Sequence, residues 1–90
     1  MKKVLRKRKK PNYDDQDEYY ANLSKILAKN IRKYRLKAEL SQDRLSKLSG
    51  VALNTITKIE AGDTPNPTIE TVKRLADGLE IEITKLLQHK

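Results

Sequence analysis

The chain has 90 residues, a formal net charge of +8 and no Cys. It has room for one small domain, and neither a disulfide framework nor a Cys-based metal site is open to it. The excess of Lys and Arg favours a polyanionic partner, nucleic acid or an acidic surface, without choosing between them. With no Trp or Phe and four Tyr, the core falls to Leu, Ile, Val and Ala.

Residues 1–12 form a basic arm, expected to be disordered: Lys2, Lys3, Arg6, Lys7, Arg8, Lys9 and Lys10 repel one another and little apolar surface offsets them. A phosphate-tracking arm, a solubilising tail and, in a eukaryotic source, a nuclear-import signal are all consistent with this composition. The arm lacks the apolar segment of a secretory signal, and no apolar run is long enough to span a membrane. A reducing, cytoplasmic setting is the expectation. The sign then reverses at Asp14, Asp15, Asp17 and Glu18. Acidic residues suit a helix N-terminus, so a first helix is expected from this cluster to about Lys37, with Tyr19, Leu23, Ile26, Leu27, Ile31 and Tyr34 on one apolar stripe.

The following stretch, LSQDRLSKLSGVALNTITKIEAG, carries two short helices around a Gly. Ser41 is a suitable N-cap for the first, about Gln42 to Ser49, which is expected to bury Leu45 and Leu48. Gly50 suits a left-handed helix end and Val51 the corner. The second, about Leu53 to Ala61, buries Ile56 and Ile59. Ala52 offers it no capping oxygen, and Asn54 is an alternative cap that shifts the start by two residues. Two helices joined this way make a helix-turn-helix, whose second helix commonly reads DNA. Pro65 and Pro67 punctuate the next loop. A fourth helix is expected from Ile69 to Gly78, capped by Thr68, with Val72, Leu75, Ala76 and Leu79 inward. A fifth spans Ile83 to Gln88.

LAKNIRKYR, LSQDRLSKLSGV, TITKIEAG and NPTIETVKRLADGLEI, taken in that order and with those gaps, resemble the Cro/C1-type (Xre) helix-turn-helix family across Leu27 to Leu86. The resemblance implies an all-α, five-helix, lambda-repressor-like fold over residues 13–90, with the helix-turn-helix at 41–62. It departs at Glu39 and Glu80, where the family commonly has Gly, and at Ala52, where it has Ser or Thr. It implies base reading by Leu53, Asn54 and Lys58, with Thr57 close by. Gln42, Asn66 and Thr68 would contact phosphate, Thr55 at most a phosphate. Arg35 and Glu60 would form an ion pair orienting the recognition helix. The bland alternatives are ordinary polar and solvated surface residues.

The function so implied is sequence-specific binding of double-stranded DNA, as a dimeric repressor on an inverted repeat in the cytoplasm, at the nucleoid. No cofactor is expected. Helix 5 and the extended helix 1 are the dimerisation candidates. One rival is an antitoxin that binds a toxin and represses its own operon. Another is a coactivator-like protein-binding module with weak DNA affinity. A restriction–modification controller is a subtype of the first reading. No second, ligand-sensing domain is expected. Enzymatic readings fail on inventory, since no Cys nucleophile, phosphate-cradling Gly loop or zinc-protease spacing exists and His89 stands by the C-terminus.

Overall fold

The computed structural model describes residues 18–63 and 66–89, and every regular element among them is helical. The elements are α1 (Leu23–Lys37), α2 (Gln42–Ser49), α3 (Leu53–Glu60), α4 (Ile69–Gly78) and α5 (Ile83–Leu87). A helical segment at residues 18–21 precedes α1. The long first helix expected from the acidic cluster is thus interrupted: Asn22 has φ −104° and ψ 7°, a turn outside the helical region. Asp14, Asp15, Asp17 and the basic arm lie outside the described residues.

Local chemistry sets the helix ends. The Ser41 hydroxyl accepts from the Arg44 N–H at 2.9 Å, and Thr68 does the same for Thr71 at 3.1 Å. Gly50, at φ 76°, closes α2 in the left-handed conformation. The helix α3 starts on Ala52 without a side-chain cap, and Asn54 does not displace the start from Leu53. Glu39 and Glu80 are left-handed, at φ 59° and 58°, which costs on the order of 1 kcal/mol each relative to Gly. Each is followed by a residue whose N–H reaches back five positions, Leu40 to the Arg35 carbonyl and Ile81 to the Ala76 carbonyl, both at 3.0 Å. Leu40 and Ile81 also pack on the core. These are Schellman ends, in which the hydrogen bond and the apolar contact offset the backbone strain.

The core joins α1 to α3 and α5, and α2 to α3 and α4. Ile31, Leu45, Ile56, Leu75 and Leu86 are wholly inaccessible to solvent. Leu48 does not join them and is 49% exposed. A step of three residues from Leu45 rotates about 60° off the buried line, and Ser49, four residues on, is buried in its place. The Ser49 position also explains Gly78: a Cβ on Gly78 would lie 2.9 Å from Ser49 Cβ, so α4 crosses α2 too closely for any side chain. The fifth helix stops at Leu87, one residue short of the expected end.

Asn30, on the buried side of α1, was not singled out by periodicity. Its Nδ2 donates to the Leu86 and Gln88 carbonyls at 2.8 and 2.9 Å, and Tyr19 Oη donates to the Leu87 carbonyl at 2.9 Å. These donors satisfy carbonyls that the end of α5 leaves without helical partners. The signal was a lone polar residue beside Ile31 on an otherwise apolar stripe.

Candidate nucleic-acid interface

The helix α3 divides cleanly. Ile56 and Ile59 are buried, Thr55 is half-buried, and Leu53, Asn54, Thr57 and Lys58 are exposed. Asn54 and Lys58 stand four residues apart, as do Leu53 and Thr57, so the four side chains form two adjacent rows on the outer face. Asn and Lys can pair with purine edges in the major groove, and Leu can meet a thymine methyl. Lys58 has no ion-pair partner among the described residues.

The helix is fixed at its far end by a buried polar cluster. Arg35 Nε donates to Glu60 Oε2 at 2.7 Å and Nη2 to Oε1 at 3.0 Å, with the two side chains 8% and 4% exposed. Arg35 Nη1 also donates to the Leu40 carbonyl at 2.8 Å. Gln42, the first residue of α2, donates from Nε2 to Glu60 Oε1 at 3.0 Å and accepts from Thr57 Oγ1 at 3.3 Å. Thr57 Oγ1 lies 3.0 Å from the Leu53 carbonyl as well. Planar two-bond pairing sets orientation as well as distance. Burial pushes the Glu60 carboxyl up, but hydrogen bonds from Arg35 and Gln42 and the charges of Arg35 and Arg32 outweigh it and hold the group below its ordinary value. The bond to Glu60 correspondingly raises Arg35.

The structure thus brings together Arg35, Glu60, Gln42 and Thr57. The part that the sequence did not disclose is that the Gln42 amide is already engaged within the protein. One of its two N–H groups goes to Glu60, leaving the other available to an anion. Asn66 is exposed in the loop before α4. The Thr68 hydroxyl caps α4 and donates to Thr71 Oγ1 at 2.9 Å. Lys2, Lys3, Arg6, Lys7, Arg8, Lys9 and Lys10 lie outside the described residues. Among the described residues no His, Cys, Asp or Glu cluster is arranged to hold a metal, and no helix is long and apolar enough to cross a membrane.

The helix-turn-helix family model HTH_3 matches residues 31–86. The chain is 36% identical over 73 residues to Control protein C.SmaI of Serratia marcescens, covering 81% of this chain and 86% of that protein. It is 34% identical over 61 residues to the HTH-type transcriptional regulator SlrR of Bacillus subtilis (strain 168), covering 68% of this chain and 40% of that protein, so it spans well under half of SlrR. A hypothetical transcription factor, NHTF, from Neisseria shares the fold, with a TM-score of 0.71 and 23% identity over 77% of this chain and 78% of that one. The fold, the buried Arg35–Glu60 pair beneath an outward-facing α3 and the match over residues 31–86 agree: the chain belongs to the Cro/C1-type helix-turn-helix family of DNA-binding transcriptional regulators.

Proposed function

We propose that this protein binds double-stranded DNA sequence-specifically as a dimeric repressor, with α3 in the major groove of each half of an inverted repeat. The observation that carries the reading is the outer face of α3, with Leu53, Asn54, Thr57 and Lys58 exposed on a helix anchored by Arg35, Glu60 and Gln42. Asn54 and Lys58 supply direct base readout and Leu53 an apolar contact. Gln42, through its second N–H, and Asn66, Thr68 and Thr55 contact phosphate and set the register. The arm adds sequence-independent attraction. The protein acts in the cytoplasm, at the nucleoid.

Two α3 helices reach successive major grooves when they stand about 34 Å apart, which requires a second copy. Leu87 on α5 and Tyr20 before α1 are exposed apolar surface suited to that contact. Likeness over most of both chains to a protein named a control protein favours the controller form of this reading over the antitoxin.

Selection from a random duplex pool at roughly physiological salt tests the proposal, because salt sets the phosphate contribution. The expected product is an inverted repeat with half-site centres about one helical turn apart. A pool that stays random removes the sequence-reading function, and enrichment of a single half-site removes the dimer.

A further inference from the structure

The basic residues among the described ones are unevenly neutralised. On α4 they pair within the helix, Lys73 with Asp77 at 2.7 Å and Arg74 with Glu70 at 2.9 Å. Lys47 on α2 likewise pairs with Asp43. The helix α1 carries no acidic residue at all in LSKILAKNIRKYRLK, and only Arg35 among its basic residues has an ion-pair partner in the described residues. Lys25, Lys29, Lys33 and Lys37 follow one another at intervals of four. Each such like-charge pair destabilises a helix by a few tenths of a kcal/mol, and Lys25 also opposes the helix dipole near its N-terminus. Lys37 suits the C-terminal end of the dipole and Lys33 lies over the Tyr34 ring, but stability gives no reason for Lys25 and Lys29.

Lys25, Lys29 and Arg32 are exposed and line one groove together with Ala28, Glu60, Ala61 and Gly62, where the chain leaves α3; the Glu60 carboxylate there is already taken up by Arg35 and Gln42. That groove lies at the end of α3 remote from Leu53 and Asn54. We infer that Lys25, Lys29 and Arg32 form a second phosphate-binding surface, which holds the backbone of duplex DNA flanking the base pairs read by α3. The inference rests on DNA being the ligand, as proposed above. Positive charge without an ion-pair partner among the described residues, beside a helix that faces DNA, complements the phosphate backbone, and contacts of this kind position a protein without reading sequence.

The test uses the full chain with Lys25, Lys29 and Arg32 all changed to Gln. A control chain carries Lys73→Gln, Arg74→Gln and Lys85→Gln, so both lose the same formal charge. Gln is a good helix former, and relief of the like-charge repulsion offsets the loss of Arg32's attraction for Glu60, so the melting temperature of the first variant should stay close to that of wild type. Affinity is measured against salt on the selected site, cut flush or extended by about one helical turn, roughly 10 base pairs, on each side. On the extended duplex the log–log salt slope of the row variant should be shallower than that of wild type by about 2–3, while the control keeps the wild-type slope. On the flush duplex all three should agree, and the enriched sequence should be unchanged. Equal slopes for row variant and control on the extended duplex overturn the inference and leave an acidic protein surface as the row's partner. If no sequence is enriched, the same comparison on an arbitrary long duplex still decides: a shallower slope for the row variant alone keeps the surface while base reading fails, and equal slopes remove both.

Discussion

At the scale of single residues, Glu60 concentrates the most consequence. Its carboxylate accepts from Arg35 twice and from Gln42 once, so three elements meet on one group. Removing the charge leaves the Arg35 guanidinium buried and unpaired. Glu60→Gln should therefore destabilise the fold by about 3–5 kcal/mol, read from denaturant unfolding at neutral pH. The same group sets an acid limit. Its folded-state pKa is held below the ordinary value of 4.5, so the ionised form favours folding. That contribution is complete above the ordinary value and is lost as pH falls through the lower, folded-state one. Stability should decline on acidification in wild type, and the part due to this group should vanish in Glu60→Gln; an unchanged acid profile in the variant would contradict the assignment. Gly78 is a second sensitive point, for a steric reason. A methyl there meets Ser49 Cβ at 2.9 Å and Leu45 Cδ1 at 3.2 Å, so Gly78→Ala should cost about 1–3 kcal/mol by overpacking. The cost should appear as a lowered melting temperature, although Ala is the better helix former.

At the scale of elements, α3 begins without a side-chain cap. Ala52 contributes no side-chain oxygen, and no acidic residue stands in the first turn. Ala52→Ser should stabilise the protein by about 1 kcal/mol, raising the melting temperature by several degrees for a domain this small. No rise would mean that packing of Ile56 and Ile59, not capping, determines where the helix starts. Element positions were largely legible in the sequence because caps and breakers are local: Ser41, Gly50 and Thr68 act through their own neighbours. Orientation was less so. Leu48 and Ile69 are apolar by composition but 49% and 82% exposed, since only packing decides which side of an eight- or ten-residue helix is covered. The engagement of Gln42 with both Thr57 and Glu60 was not legible either, as it joins residues 15 and 18 positions apart. Arg35 and Glu60, 25 positions apart, could be paired in advance only through the family resemblance.

At the scale of the whole molecule, two asymmetries organise the protein. One is mechanical. Asn30 and Tyr19 bind the carbonyls of residues 86–88, closing the N-terminal helix onto the last one, while the Arg35–Glu60–Gln42 cluster closes the same helix onto α3. The other is electrostatic: neutral, self-paired charge on α4, and on Lys25, Lys29 and Arg32 of α1 and Lys58 of α3 positive charge without an ion-pair partner among the described residues. Composition disclosed the net charge but not its distribution, which depends on which acids reach which bases. Reading sequence with α3 is the claim on which the rest depends. It is tested most directly by measuring binding of wild type and an Asn54→Ala, Lys58→Ala variant to the enriched duplex and to a scrambled one. Each lost base contact should cost about 1–3 kcal/mol of discrimination, so the variant should bind both duplexes with nearly equal affinity while wild type strongly prefers the enriched one. A variant that keeps the full wild-type preference would contradict the assignment of base reading to α3.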